Sequence, residues 1–372
     1  MRTAAVILNW NTKEYLRKFL PGLVESCTGL GLDAAGRPLA GVIVADSAST
    51  DGSLEMLKEE FPGVRTIPLD DNYGFTGGYN RAIKAIAEAP DAPEYIVLIN
   101  SDIDVDRNWL LPLVEWMDFH PDCGACGPKL HALLSEGGAY VRSDRFEYAG
   151  AAGGFIDRYG FPYCRGRVMK RTAVDRGQYD SPADVLWVSG ACLVTRTVLW
   201  KELGGLDDRF FAHMEEIDYC WRLALKGYRI NVVPQSTVWH LGGGTLPQDS
   251  PWKLQLNFRN NLLLLDNNLA ATFVGRGLTR EQAERKAART IRFRKILDSG
   301  ASVLYMLSGR KDYSDAVRKA HEEFAVMKRK AHQASTGSHK VAGYRNICII
   351  LQSALRKERV FDHLDSIYEN RH

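Results

Sequence analysis

The sequence lacks a long uninterrupted apolar run. No stretch of about 18 or more apolar residues occurs, so we expect no membrane-spanning helix. The apolar run at the N-terminus is too short for a signal peptide, and no cleavage-like site follows it. Cysteines are few, scattered and odd in number (seven), which predicts free thiols in a reducing compartment. These absences favour a cytoplasmic protein.

Charge is distributed unevenly along the chain. Residues 272–372 carry 21 Lys and Arg against 11 Asp and Glu, whereas residues 1–271 carry 27 against 34. This asymmetry predicts a catalytic body followed by a segment that meets something anionic, such as phospholipid or a phosphate-linked acceptor. No RNA- or DNA-binding signature accompanies the basic residues, so we expect no nucleic-acid partner.

The first 110 residues alternate between strand and helix patterns. Such alternation with short connections predicts an α/β fold with a mostly parallel sheet flanked by helices. Residues 130–185 are rich in Gly, Arg and aromatics, which predicts loops or irregular strands. Order returns at a strand over 184–194, a helix over 215–226 and a strand over 229–234, and the chain is helical beyond Pro251. The early predicted strands are 4–8, 41–45, 64–68 and 95–99, and the early helices are 13–27, 53–61 and 78–89.

The segment from Tyr95 to Asp104 is the most informative. Five apolar or aromatic residues predict a strand buried on both faces, and carboxylates follow at its carboxyl end, where open α/β sheets bind ligands. Asp102, with Asp104 as a second candidate, can hold Mg²⁺ or Mn²⁺ together with a substrate diphosphate. Solvated turn acids are the alternative. A calcium loop is excluded, because its sixth position is not glycine and its twelfth is Leu113.

Two further clusters each lie between a strand and a helix. Asp46 ends the second predicted strand and can accept a hydrogen bond from a nucleobase or ribose, while Asp51 predicts the N-cap of the next helix. The glycines before residue 78 can let backbone amides approach a phosphate. Their spacing is not the dinucleotide-binding fingerprint. A plain turn and a helix start without a ligand are the alternative interpretations.

Three acids open the predicted helix at 215–226. Glu215, Glu216 and Asp218 can simply complement the helix dipole. Crowded acids also raise one another's pKa, however, and such groups make good proton acceptors near neutral pH. His240 follows a strand beside three glycines. On its own a structural histidine is the simpler interpretation, but beside a metal site it becomes a third candidate ligand.

Together these motifs resemble one known family. Their order is similar to that of family 2 inverting glycosyltransferases with the GT-A fold, particularly the bacterial rhamnosyltransferase-like branch that builds cell-surface polysaccharides. The resemblance covers roughly residues 3–270, and residues 256–261 resemble the helix that follows the catalytic domain in bacterial members. The motifs are Asn9-Trp-Asn11, Asp46-x-x-Ser49-x-Asp51-Gly52, Gly74-Phe75-x-Gly77-x-x-Asn80, Asn100-Ser-Asp102, Gly190-Ala191-Cys192, Phe210-Phe, Glu215-Glu-x-Asp218 and Trp239-His240.

The resemblance implies roles for the matching residues. Asp46 would contact the base of a nucleotide-sugar donor. Asp102 would ligate the cation, with Asn100 replacing the first acid of the metal-binding motif, and His240 would lie near the metal and diphosphate.

Glu216 would be the general base. The family usually has Glu-Asp where this chain has Glu215 and Glu216, so Glu215 and Asp218 remain candidates for that role. The other positions implied to bind substrate are Asn9, Asn11, Ser49, Gly74, Phe75, Gly77, Asn80, Asn100, Gly190, Ala191 and Arg222.

The implied reaction transfers a hexose, with rhamnose favoured, from a dTDP- or UDP-linked donor to a hydroxyl of a glycan or lipid-linked acceptor. One displacement through an oxocarbenium-like transition state would invert the anomeric carbon, and Mg²⁺ or Mn²⁺ would stabilise the leaving diphosphate. Two other classes remain open. A nucleotidyltransferase would carry a glycine-rich basic loop after the first strand, unlike residues 9–13, and an inactive nucleotide-sugar-binding module would release no product.

We expect a GT-A catalytic domain at residues 1–250 and a basic helical extension at 251–372. Residues 276–295 are dense in Arg and Lys, and residues 296–307 add apolar side chains. This pattern predicts an amphipathic surface that contacts the inner face of the cytoplasmic membrane peripherally. The alternative is a helical cap on the catalytic domain that contributes to a homodimer.

Overall fold

The computed structural model of the protein describes residues 1–34, 36–242, 250–328, 339–361 and 363–364. Short 3₁₀ turns lie at Asp208–Phe210 and Lys357–Arg359. The strands are β1 Thr3–Asn9, β2 Ala40–Ser47, β3 Arg65–Leu69, β4 Tyr95–Ile99, β5 Ile103–Val105, β6 Cys123–Glu136, β7 Ala139–Phe146, β8 Gly154–Ile156, β9 Pro162–Cys164, β10 Arg167–Val168, β11 Arg171–Thr172, β12 Ala183–Val185, β13 Cys192–Arg196 and β14 Arg229–His240. The helices are α1 Lys13–Thr28, α2 Ser53–Glu60, α3 Gly74–Ala87, α4 Leu111–Phe119, α5 Thr197–Leu203, α6 Glu215–Leu225, α7 Pro251–Val274, α8 Arg280–Leu307, α9 Lys311–Lys328 and α10 Ile349–Arg356.

The strands of the described residues form a large central sheet of order β12-β14-β6-β13-β4-β1-β2-β3, with β5 added to β14 and β7 added to β6. The half from β3 to β4 is parallel, and β6 and β14 are also parallel to each other. Strand β13 joins the two halves by running antiparallel to both β4 and β6. A second, smaller sheet contains β8 to β11. The predicted α/β fold, a mostly parallel sheet flanked by helices, is confirmed.

Strand β4 lies at the centre of this sheet and is buried on both faces, as predicted. Ile96 and Leu98 pack into one hydrophobic layer, whereas Val97 and Ile99 pack into the other. This alternation is expected because successive side chains of a strand point to opposite faces. The carboxyl end of β4, which leads to Asp102, is therefore held rigidly from both sides.

Helix α3 begins earlier than predicted. It starts at Gly74, so Gly77 and Gly78 lie inside its first turns rather than before it. A Cβ on Gly78 would come within 2.7 Å of the Leu8 side chain. These glycines therefore allow α3 to pack closely on β1, a requirement that a single sequence does not reveal.

The second half of the domain also differs from the prediction. The strand predicted at 184–194 is two strands, β12 and β13, which pair with different neighbours. The strand predicted to end at 234 continues to His240, because register shifts let β14 pass Pro234 and pair again from Thr237. Strand β6 and helix α4 were not predicted. The predicted free thiols are confirmed for Cys123 and Cys126, which are buried in β6.

The C-terminal helices pack onto the catalytic body through a shared core. The buried cluster that contains Val6 of β1 also contains Leu263 of α7, Ile291 of α8 and Phe324 of α9. A domain boundary near residue 250 remains a prediction, but the core is continuous across it. No helix within the described ranges is both long enough and apolar enough to cross a membrane.

Candidate active site

The ends of β1 and β2 bring four predicted residues into one hydrogen-bonded cluster. Asn9 Nδ2 donates to Asp46 Oδ2 at 2.6 Å and to Ser49 Oγ at 3.1 Å. The main-chain amide of Asn11 donates to Ser49 Oγ at 3.0 Å, and its side-chain oxygen accepts from the amide of Thr50. Asn11 has a positive φ of 54°, which is tolerated by asparagine more readily than by most residues. Asp46 is fully buried, so its carboxylate is fixed in place.

Asp51 lies at the edge of this cluster and joins two helix starts. The N-cap of α2 is Gly52, one residue later than predicted. Asp51 still accepts a hydrogen bond from the amide of Ser53 at 3.0 Å and a second from the amide of Lys13 at 2.9 Å. Its carboxylate therefore stabilises the local structure around Asp46.

Thr12 connects the first cluster to the end of β4. Its hydroxyl lies 2.5 Å from Asn9 Oδ1 and 2.9 Å from Ser101 Oγ, and Ser101 immediately precedes Asp102. Thr12 carries no signal of this role in the sequence, because a threonine before a helix ordinarily predicts only a cap.

Asp102 and His240 form the second cluster. Asp102 Oδ1 lies 3.2 Å from His240 Nε2, and Asn100 Nδ2 lies 3.3 Å from the same nitrogen. On the other side of the ring, Glu147 Oε2 lies 3.5 Å from His240 Nδ1. Asp102, His240 and Glu147 are all buried. Glu147 was missed, since it lies in a glycine- and aromatic-rich segment that showed no acidic motif.

Burial and charge act in opposite directions on this cluster. Burial alone would raise the pKa of Asp102, but the positive charge and hydrogen bond of His240 hold that pKa below its ordinary value. Burial alone would lower the pKa of His240, but the carboxylates of Asp102 and Glu147 raise it well above its ordinary value. Asp102 is therefore ionised at neutral pH.

These donors fit a divalent cation, which would displace the proton of His240, because only a neutral imidazole can ligate a metal. Two ligands of one ion, each about 2.1 Å from it and at right angles, lie about 3 Å apart, which is close to the separation of Asp102 Oδ1 and His240 Nε2. Within the described ranges, no group of three or more His, Cys, Asp and Glu side chains could hold a metal by itself. Such a pair suits an ion whose remaining positions are filled by substrate phosphate and water.

Asp104 lies apart from this cluster. Its carboxylate accepts from Arg142 Nε at 2.7 Å, and the same guanidinium binds Asp106 and stacks over Trp239. Asp104 therefore forms a partly exposed ion pair with Arg142. Of the two predicted acids, only Asp102 faces His240.

Glu215 and Glu216 begin helix α6 with carboxylates that have unused acceptors. The Oε2 atom of each is buried and has no hydrogen-bond partner among the described residues. Burial raises the pKa of Glu216 to about 7. The pKa of Glu215 is raised well above its ordinary value by burial and then by the charge of Glu216. Both acids of this pair therefore bind a proton more readily than ordinary glutamates, which suits a proton acceptor near neutral pH.

Gly190 and Ala191 connect the carboxylate pair to the cluster around Asp102 and His240. A Cβ on Gly190 would lie 3.2 Å from the Phe75 ring and 3.4 Å from Glu216 Cβ, so glycine permits close packing there. The next residue, Ala191, accepts a hydrogen bond through its carbonyl from the amide of Asn100 at 3.0 Å. Two adjacent residues thus lie between Glu216 on one side and Asn100 on the other.

Gly74 fits against the turn that precedes Glu215. It has a φ of 69°, and a Cβ there would overlap the ring of Phe211 at 2.6 Å. Gly77, one turn later in α3, is packed against Tyr73. The glycines of this motif therefore serve close packing of protein on protein.

Three residues that were predicted at the site form buried hydrogen-bond networks with other parts of the protein: Asp218, Arg222 and Asn80. Asp218 accepts from Arg222 Nε at 2.7 Å and from Asn267 and Asn268 of α7. Arg222 also donates to the carbonyls of Leu203 and Gly205. Asn80 binds both the amide and the carbonyl of Leu206 and the carboxylate of Asp208. These three side chains hold helices and loops together. Of the acids at the start of α6, Glu215 and Glu216 each keep one oxygen without a hydrogen-bond partner in the part of the chain that the structure describes.

Comparisons with known proteins found one matching family and several similar proteins. The family model described as glycosyl transferase family 2 matches residues 5–174. The chain is 28% identical over 256 residues to the N-acetylglucosaminyl-diphospho-decaprenol L-rhamnosyltransferase of Mycobacterium tuberculosis, covering 66% of this chain and 80% of the relative. It is 24% identical over 167 residues to the rhamnosyltransferase WbbL of Escherichia coli K12, covering 44% and 58% of the two chains.

The fold is also found among solved structures. The structure of GalNAc-T7 with UDP, GalNAc and Mn²⁺ superposes with a TM-score of 0.52 at 15% identity, covering 78% of this chain and 54% of that one. This likeness concerns the fold, whose GT-A type was predicted from the sequence. With the family match and the rhamnosyltransferase relatives, it leads to one conclusion: the chain carries a glycosyl transferase family 2 domain over residues 5–174 and is a GT-A glycosyltransferase similar to rhamnosyltransferases.

Proposed function

We propose that the protein transfers a hexose, with rhamnose as the favoured sugar, from a nucleoside-diphosphate donor to a hydroxyl of a glycan or lipid-linked acceptor, with inversion at the anomeric carbon. The observation that carries this proposal is the Glu216 carboxylate, which has a buried oxygen without a partner among the described residues and a pKa of about 7. The relative in Mycobacterium tuberculosis, whose name includes a diphospho-decaprenol acceptor and L-rhamnose, supports the choice of substrates.

Glu216 acts as the general base. As the acceptor oxygen forms its bond to the anomeric carbon, Glu216 takes the hydroxyl proton, and the bond from that carbon to the phosphate oxygen breaks. The nucleoside diphosphate leaves with the bonding electrons from the opposite face, so a single displacement inverts the configuration. A base whose pKa lies near the working pH is largely ionised and yet still binds the proton usefully.

The two hydrogen-bonded clusters hold the donor. Asp46, fixed by Asn9 and the amide of Ser49, presents a buried carboxylate beside the expected nucleobase. Asp102 and His240 would hold Mg²⁺ or Mn²⁺. When bound there, the cation supplies positive charge next to the leaving diphosphate. The Mn²⁺ in the GalNAc-T7 structure is in keeping with this assignment.

The C-terminal helices favour peripheral contact with a membrane that carries a lipid-linked acceptor. The second half of α8 exposes Ile296, Val303, Leu304 and Leu307, while its first half is rich in Arg and Lys. An apolar face next to basic side chains is typical of helices that lie on anionic membranes. Flotation with vesicles that contain anionic lipid tests this, and Leu304→Ser with Leu307→Ser should reduce the bound fraction. Protein that stays wholly in the soluble fraction would remove the membrane proposal and leave the homodimer alternative.

The transferase proposal is tested by release of nucleoside diphosphate from a panel of dTDP- and UDP-linked sugars, with Mg²⁺, Mn²⁺ or EDTA, in the presence of a lipid-linked acceptor. We expect cation-dependent release from one donor, and NMR of the product should show an inverted anomeric configuration. Release of pyrophosphate would instead identify a nucleotidyltransferase. Donor binding without any turnover would support an inactive binding module.

A further inference from the structure

The turn that precedes the general base has a backbone conformation that side chains disfavour. Phe211, His213 and Met214 have φ angles of 63°, 72° and 73°, in the left-handed region that favours glycine. Non-glycine residues in this region persist only where the surroundings hold them there. Met214 is the N-cap of α6, so the path of this turn sets where Glu215 and Glu216 begin.

The side chain of Asn260, in helix α7, binds main-chain carbonyl groups at this turn. Its Nδ2 group lies 2.9 Å from the carbonyl oxygen of Phe210, 2.8 Å from that of Ala212 and 2.8 Å from that of His213, so two N–H bonds are shared among three acceptors. Asn260 is fully buried. The opposite side of the turn is held by α3, where the amide of Thr76 donates to the carbonyl of Phe211 at 3.1 Å.

Arg259 fixes both the turn and Asn260. Its Nη2 donates to the carbonyl of Phe210 at 2.8 Å, and its Nε donates to Asn260 Oδ1 at 2.9 Å, which orients the amide so that its N–H groups face the turn. Its Nη1 forms an ion pair with Glu323 of α9 at 3.0 Å, and Gln255 donates to the second oxygen of that carboxylate. Side chains of α7 therefore bind the turn, and α9 supports the arginine that binds it.

We infer that Arg259 and Asn260 are positioning residues for catalysis: they hold the turn at residues 211–214 so that the Glu216 carboxylate stands where the acceptor hydroxyl arrives. This inference rests on the proposed function for the role of Glu216. It gives these two residues of helix α7 a part in catalysis and makes that helix necessary for chemistry as well as for stability. A displacement of about 1 Å in a catalytic group can lower a rate about 100-fold, so modest loosening of the turn is sufficient.

Asn261 provides a matched control. It is the next residue of the same helix and is equally buried, and its side chain also binds a carbonyl, that of Gly160, and an arginine, Arg294. None of these partners belongs to the turn. Asn261→Ala therefore removes a comparable set of buried hydrogen bonds while leaving residues 211–214 untouched.

The experiment compares Asn260→Ala with Asn261→Ala by hydrogen–deuterium exchange and by donor kinetics. For Asn260→Ala we expect faster exchange in the peptide covering residues 209–217, a kcat lower by about 10- to 100-fold, and an unchanged KM for the donor. Calorimetric stoichiometry for the nucleoside diphosphate should stay at the wild-type value, which excludes a smaller folded fraction as the cause. Asn261→Ala should leave exchange of that peptide and kcat unchanged.

Equal exchange and equal kcat in the two variants would overturn the inference. If Asn260→Ala does not fold, Glu323→Gln replaces it, because that partly exposed carboxylate touches Arg259 and not the turn. For Glu323→Gln we expect a smaller change in exchange and in kcat, in the same direction. Exchange and kcat equal to those of the wild type would contradict the inference. If wild-type protein turns over no donor, the proposed function fails by itself, while the exchange comparison still decides whether Arg259 and Asn260 hold the turn.

Discussion

His240 Nε2 lies 3.2 Å from Asp102 Oδ1, which joins the end of β14 to the segment that follows β4. The contact arises because β14 continues to His240 and pairs there with β5, the short strand that follows Asp102. A histidine and an aspartate far apart in the sequence thereby become neighbours with their side chains buried.

Asp102→Asn should abolish most of the cation-dependent activity, lowering kcat by at least about 100-fold, because a neutral amide is a weak ligand for a divalent cation. Binding of Mn²⁺, followed by calorimetry in the presence of nucleoside diphosphate, should weaken in parallel. Asp104→Asn discriminates between the two predicted acids, since it breaks only the ion pair with Arg142. Equal effects of the two substitutions would contradict the assignment of Asp102.

Glu216→Gln should lower kcat by about 1,000-fold or more while donor binding stays intact, because only the proton acceptor is lost. Glu216→Asp should retain more activity than Glu216→Gln, since it keeps a carboxylate. Glu215→Gln is the decisive comparison, as Glu215 is the neighbouring free acid. If Glu215→Gln removes activity and Glu216→Gln does not, the base has been assigned to the wrong residue.

The dependence of kcat on pH should show a rising limb centred at about pH 7, the pKa to which burial raises Glu216. The base works only when it is ionised, so the rate falls about tenfold for each pH unit below that value. The free energy of unfolding depends on pH in the opposite direction to kcat. Between about pH 4.5 and pH 7 the folded protein holds a proton on Glu216 that the unfolded chain has released, so rising pH lowers the free energy of unfolding. Glu216→Gln should therefore raise the Tm at pH 8, and a lower Tm would contradict this.

Glu147→Gln should weaken cation binding about 10-fold, because carboxylates that contact a ligand histidine orient its ring and increase its basicity. Glu147 Oε2 lies 3.5 Å from His240 Nδ1, on the side of the ring away from Asp102. The apparent affinity for Mn²⁺, measured by titrating activity and by calorimetry, should fall while kcat at saturating Mn²⁺ changes little. An unchanged affinity would mean that Glu147 serves only the local fold.

Asn80→Ala should destabilise the protein and leave the KM for the donor unchanged, because Asn80 binds Leu206 and Asp208 rather than facing the clusters around Asp46 and Asp102. Loss of several buried hydrogen bonds costs about 1–3 kcal/mol in the free energy of unfolding. Thermal unfolding and donor kinetics on the same preparation measure both quantities. A large rise in the KM for the donor with an unchanged Tm would show that Asn80 contributes to donor binding, as predicted from the sequence.

Part of this protein could be predicted from its sequence because the determining signals are local. The apolar run of β4 and the alternation before it fix the parallel half of the sheet, since hydrophobic period and connection length decide those pairings. The polar residues at the strand ends, Asn9, Asp46 and Asp102, could be placed together for the same reason. The crowded acids at residues 215 and 216 also indicated raised pKa values, although burial contributes more than mutual repulsion.

Other features depend on residues that meet only in three dimensions. The sequence did not show which acids form ion pairs. Asp218 and Asp104 resemble Glu216 and Asp102 in type and spacing. In the structure, however, Asp218 pairs with Arg222 and Asp104 pairs with Arg142. Glu147 reaches His240 only through the folding of an irregular segment. In each case the deciding factor is a partner distant along the chain, because burial and hydrogen bonding are properties of the packed structure. The sequence by itself determined the parallel strands of the first half and the chemistry at their ends, and the tertiary structure decided which of those groups are left without a competing partner.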